Sequence, residues 1–101
     1  MTTTIYQMIL DNLHITYTPD DSTRRRLENE INDGITAIKK YCAPVPDCEP
    51  GGAQAELLRE YVLRAESGAA DTWYRDFAGE ILSQQAASEV AAYAEAMGYG
   101  A

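Results

Sequence analysis

The chain has 101 residues, 46% hydrophobic and 24% charged, and a formal net charge of −8 from 16 Asp and Glu against 8 Lys and Arg. That length gives one small domain burying about 60 to 65% of its unfolded surface, enough for one core but not for a core plus a deep cleft. The acidity excludes a free-standing nucleic-acid binder, which needs basic surface to displace phosphate counterions, and equally a polybasic membrane-surface protein. The apolar content excludes wholesale disorder. No apolar run reaches the ~18 residues of a bilayer span. Met1-Thr2-Thr3-Thr4 lacks the basic residues and apolar stretch of a secretory leader, so the two cysteines are expected as reduced thiols. Cys42, Cys48 and a distant His14 are too few for a metal site.

Four helical stretches are predicted, with no alternating strand pattern and no internal repeat. Ile5, Met8, Ile9 and Leu13 have helical spacing, and this short first helix must dock on the rest of the chain. The second helix is expected to start with Thr18 as N-cap, Pro19 at the first helical position, and Asp20 and Asp21 in the first turn. Leu27, Ile31, Ile35, Ile38 and Cys42 then form one buried stripe. Arg24, Arg25, Arg26, Glu28, Glu30, Asp33, Lys39 and Lys40 occupy a solvated face with weak ion pairs. Gly34 sits beside the stripe, where it costs about 1 kcal/mol against Ala and implies a close helix crossing.

Residues 43–52 hold Pro44, Pro46, Pro50, Gly51 and Gly52 and form a loop that reverses the chain. A third helix follows from about Ala53 to Glu66, with Leu57, Leu58, Tyr61, Val62 and Ala65 inward, and Ser67-Gly68 breaks it. A fourth begins near Ala69 and presents Trp73, Phe77 and Ile81 at i, i+4 and i+8. The Ala-rich tail, 86–101, either extends that helix to Met97, with Gly98 as the stop, or forms a mobile arm. The expected fold is therefore all-α: a small bundle of about four helices over 1–86, with a C-terminal helical extension or arm over 87–101.

Chemistry is sparse. His14, with Asp11 nearby, has no activated nucleophile or oxyanion hole at recognisable spacing and reads as a boundary residue. Gly51-Gly52 precedes a helix but lacks the Lys and Ser/Thr of a phosphate loop. Trp73, Tyr74 and Phe77 read as core or subunit contacts, and seven tyrosines favour a protein that assembles. No catalytic residue, cofactor site or metal site is expected, and the chain reads as a non-enzyme.

The segment Leu13-His14-Ile15-Thr16, then Asp20-Asp21, then Leu27, Ile31, Gly34 and Ile38, resembles the first half of the small head–tail connector proteins of tailed bacteriophages and prophages. The second half continues in the same order: Ala55-Glu56-Leu57-Leu58-Arg59-Glu60-Tyr61-Val62-Leu63-Arg64, the pair Trp73-Tyr74, Phe77, and Glu80-Ile81-Leu82-Ser83-Gln84-Gln85. The 43–52 loop is longer than the family's short turn, and the segment after Gln85 has no counterpart. The resemblance implies a structural virion protein at the head–tail junction, reaching it from the bacterial cytoplasm. It implies a homo-oligomeric ring of about twelve copies under the portal protein, a stopper or tail-completion protein below, and a DNA channel through the centre.

DNA must slide through such a channel without being held, and an acidic wall repels phosphate. Asp33, Glu56, Glu60 and Glu80 are the candidates to face it. Val90, Tyr93 and Met97, spaced by three and four, are the candidates to bind the portal, on an arm that orders on docking. The alternative is an acidic helical DNA mimic or another small interaction protein that inhibits a nucleic-acid enzyme; Arg24 to Arg26, Lys39 and Lys40 interrupt the acidic run it would need.

Overall fold

The computed structural model describes the backbone of residues 3–96 and the side chains of 4–87 and 89. Among these the fold is all-α: α1 (Thr3–Asn12), α2 (Asp21–Tyr41), α3 (Ala55–Glu66), α4 (Trp73–Asp76) and α5 (Ala78–Ala96), with no strand. The expected count of four becomes five because the last helix bends. A 3-10 turn, Ala70–Thr72, leads into α4, and Phe77 adopts φ −110°, ψ 16°, outside helical values. The hydrogen bonds nonetheless run on, from Phe77 N–H to the Trp73 carbonyl and from Ile81 N–H to the Phe77 carbonyl. Trp73, Phe77 and Ile81 therefore keep one inward stripe across the bend. The expected boundary between 86 and 87 falls inside α5, which continues as helix to Ala96.

α1 contributes Ile5, Met8, Ile9 and Leu10 to the core. It ends in a Schellman turn: Ile15 N–H donates to the Leu10 carbonyl at 2.9 Å and His14 N–H to the Asp11 carbonyl at 3.1 Å. His14 takes the left-handed position of that turn, φ 59°. The ring is exposed, so the role of His14 is to close the helix.

α2 starts two residues later than expected. Asp20, not Thr18, is the N-cap: it is extended (φ −71°, ψ 172°) and its Oδ1 accepts from Thr23 N–H at 2.8 Å. Pro19 thus lies before the helix, and Asp21 is its only first-turn acid. Leu27, Ile31 and Ile38 are fully buried against Leu57, Leu58 and Val62 of α3 within one core. Each such side chain contributes about 1.5–3 kcal/mol of transfer free energy. The two helices run antiparallel: Arg26 near the start of α2 meets Glu66 at the end of α3, and Gly34 lies against Leu58 and Tyr61.

The loop between them is ordered by its own hydrogen bonds. Glu49-Pro50-Gly51-Gly52 makes a tight turn with Gly51 at φ 83° and Gly52 N–H donating to the Glu49 carbonyl at 2.7 Å. Gln54 is buried and serves both sides: its Oε1 accepts from Asp47 N–H at 2.7 Å, and its Nε2 donates to Gln84 Oε1 of α5 at 3.0 Å. Gln84 Nε2 donates in turn to the Ala53 carbonyl and to Glu80 Oε1. This amide chain fastens the first turns of α5 to the loop.

Candidate functional site

The four carboxylates expected to face a channel do not form one array. Glu56 of α3 and Glu80 of α5 are both exposed and border the same hollow of about 350 Å³, which Leu57, Phe77, Gln84 and the cation Arg59 also line. Glu60 points elsewhere and is neutralised: Arg64 Nη1 lies 2.6 Å from its Oε2, while the same guanidinium reaches Asp76 at 3.5 Å and covers the Phe77 ring at 4.7 Å. Asp33 is exposed on α2, and its charge bears on Tyr61 rather than on the hollow. The structure thus brings together Glu56 and Glu80 and leaves out Asp33 and Glu60. Val90 and Tyr93 belong to the backbone of α5, but their side chains, and all of Met97, lie outside the described residues.

Of the aromatic trio, Trp73 is core and Phe77 half-buried. Tyr74 is exposed and meets the Tyr41 ring at a tilt of 52°, with ring centroids 4.5 Å apart. Tyr17, Val45, Leu63 and Leu82 are further large apolar side chains left at the surface. Both thiols are free and buried. Burial, followed by the charges of Asp47, Cys42 and Glu49, pushes Cys48 up to about 11; burial and Glu80 raise Cys42. Both therefore stay protonated at neutral pH and are poor nucleophiles. Among the described residues no three His, Cys, Asp or Glu side chains are grouped to hold a metal ion.

One cluster escaped the sequence reading. Arg26 grips Glu66 with two hydrogen bonds, 3.1 Å from Nε and 2.9 Å from Nη2. Glu30, one turn along α2 from Arg26, is half-buried beside the same carboxylate, and no donor faces its Oε1. Burial first, then a proton shared with Glu66 and the neighbouring negative charge, raise the Glu30 carboxyl to about 7. Burial pushes Glu66 the same way, but the Arg26 hydrogen bonds and the one from Glu30 outweigh it and hold Glu66 below its ordinary value. The i, i+4 relation of Arg26 and Glu30 is legible in the sequence; their meeting with Glu66, 40 residues on, is not.

Glu30 is protonated more readily in the folded chain than in the unfolded one, so its contribution is complete below its unfolded value of 4.5 and is lost as pH rises through about 7. Glu66 acts oppositely, losing its contribution as pH falls below 4.5. The melting temperature is therefore expected to decline by a few degrees between about pH 5 and pH 8. Glu30→Gln, which mimics the protonated side chain, should abolish that decline in thermal melts. An equally steep decline in the variant would show that Glu30 is not its source.

Comparisons with protein-family models, with curated proteins and with solved structures find no match for the chain.

Proposed function

We propose that the protein is a structural subunit of a phage head–tail junction, a connector that assembles as a ring under the portal, extends the DNA channel and presents a surface to stopper or tail-completion proteins. The observation that carries this reading is the order of motifs along the chain: the Leu13–Thr16 turn, the acidic start at Asp20-Asp21, the internal Gly34, the helix 55–64, and the Trp73-Tyr74, Phe77, Glu80–Gln85 series. Within the fold the turn closes α1, Asp20 caps α2, and Gly34 sits where α2 meets Leu58 and Tyr61 of α3. The net charge of −8 supports a wall past which DNA slides without sticking. Exposed Tyr17, Tyr74 and Leu82 support contacts between subunits.

The test is capture by purified portal rings, read by co-sedimentation and negative-stain imaging. Added density under the portal, with a central hole, is the expected result. Intact portal rings that leave the chain in the supernatant would overturn the reading. A chain that instead binds and inhibits a nuclease or polymerase would establish the DNA-mimic alternative.

A further inference from the structure

The last helix is held to the body by less apolar surface than the helices before it. α2 buries Leu27, Ile31 and Ile38, and α3 buries Leu57, Leu58 and Val62. Among the described residues of α5 only Ile81 is buried; Ala78, Gln84 and Gln85 are half-buried and the others are exposed. The rest of the hold is polar and centres on Gln84. Its Oε1 accepts from Gln54 Nε2 at 3.0 Å and from Cys42 Sγ at 3.4 Å, and its Nε2 donates to the Ala53 carbonyl at 3.0 Å. Each of these bonds replaces one to water and adds little net stability, and a thiol is a weak donor.

The segment on the other side of the bend is pinned. The Trp73 indole is buried and bonded to the Leu57 carbonyl, and Arg64 reaches Asp76 at 3.5 Å while covering the Phe77 ring. Between the pinned segment and the lightly held one lies a weak joint. Phe77 departs from helical dihedrals, and Gly79 follows in the first turn of α5. At Gly34 the closeness of α3 demands glycine, but a Cβ at Gly79 would meet nothing within 4 Å, and its φ is not left-handed. Packing gives no reason for glycine there; its effect is to let the start of α5 bend. What α5 covers is Cys42: Gln84 touches the thiol, the Glu80 charge bears on it, and Gln85 borders the same hollow.

We propose that α5 is a hinged strap, which swings off the body about residues 77–79 while α4 stays in place, and that this local opening uncovers Cys42 without unfolding the domain. The swing breaks the Gln84 bonds and withdraws Ile81, but leaves α2 and α3 packed on each other. A segment with few buried apolar contacts is the part of a domain that opens first. The backbone of α5 runs on to Ala96, so the swing gives the C-terminal segment two positions relative to the body. The inference concerns a single chain and does not depend on the connector reading.

Thiol labelling in rising urea tests it, with peptide mass spectrometry assigning the label to Cys42 and amide exchange in α3 reporting global unfolding. Cys42 should react at least about tenfold faster than global unfolding exposes it. Its rate should rise only weakly at low urea, because the swing uncovers little surface. Gln84→Ala leaves the buried Gln54 amide without its acceptor and should raise the rate by more than about tenfold. Gly79→Ala has room for its methyl and stiffens the joint, so it should lower the rate by about threefold or more, with the urea midpoint unchanged or raised. Circular dichroism confirms that each variant is folded. A Cys42 rate as steep in urea as global unfolding would overturn the inference. So would either variant labelling at the wild-type rate.

Discussion

Replacing Trp73 by alanine is expected to cost about 3–5 kcal/mol, a large part of the 5–15 kcal/mol available to a domain of this kind. The indole is 2% exposed and donates from Nε1 to the Leu57 carbonyl at 3.0 Å. It meets the Tyr61 ring edge-on, with centroids 5.4 Å apart. It is therefore the piece that holds α4 to α3, and its loss leaves both a cavity and a detached C-terminal segment. Urea denaturation should show a midpoint lowered in proportion, whereas Tyr74→Ala, next in sequence but 43% exposed, should stay within about 1 kcal/mol of wild type. Similar midpoints for the two variants would show that α4 is not held by the indole.

The second large effect is at Gly34. A Cβ built there would lie 2.8 Å from Leu58 Cδ1 and 2.9 Å from Tyr61 Cδ1. Leu58 is fully buried, so a shift of its side chain presses on the core around it. Gly34→Leu should therefore force α2 and α3 apart, at a cost of about 2–3 kcal/mol or more. Gly34→Ala sets a smaller collision against the roughly 1 kcal/mol gained in helix propensity, so its net effect should be far milder. Coupling identifies the cause. In the Leu58→Ala background the cost of Gly34→Leu should shrink by at least about 1 kcal/mol in thermal or urea melts. An unchanged cost would place the conflict elsewhere.

The same two positions mark how far the sequence could be read. Gly34 inside an apolar stripe announces a close crossing, because only proximity of another helix compensates its cost. The crossing partner, the Leu58 and Tyr61 edge of α3, is set by the antiparallel pairing and not by any local pattern. Trp73, Phe77 and Ile81 are legible as one inward stripe, yet the bend at Phe77 is not, since apolar spacing survives it. The start of α2 differs from the expected one for a related reason. Thr18, Asp20 and Asp21 are all good capping residues around one proline, and only the backbone selects Asp20.

The candidate site was legible only in part. Acidic residues on polar helix faces can be counted in a sequence, but their grouping depends on which helices meet. Glu56 and Glu80 come together because the amide chain of Gln54 and Gln84 brings α5 back beside the start of α3. Glu60 leaves the group because Arg64 claims it within its own helix. The Glu30–Glu66 pair and the Arg59–Met8 contact likewise depend on segments 36 and 51 residues apart.

The burial of both cysteines has a practical side. With Cys42 and Cys48 enclosed and held in the thiol form, the folded chain offers almost no background to maleimide dyes or spin labels. A single cysteine placed at an open position such as Tyr17, 66% exposed, therefore becomes the one reactive handle without removal of either native residue. The buried pair in turn serves as an internal clock: any slow second labelling reports the opening of the core itself, on the time scale at which the domain breathes.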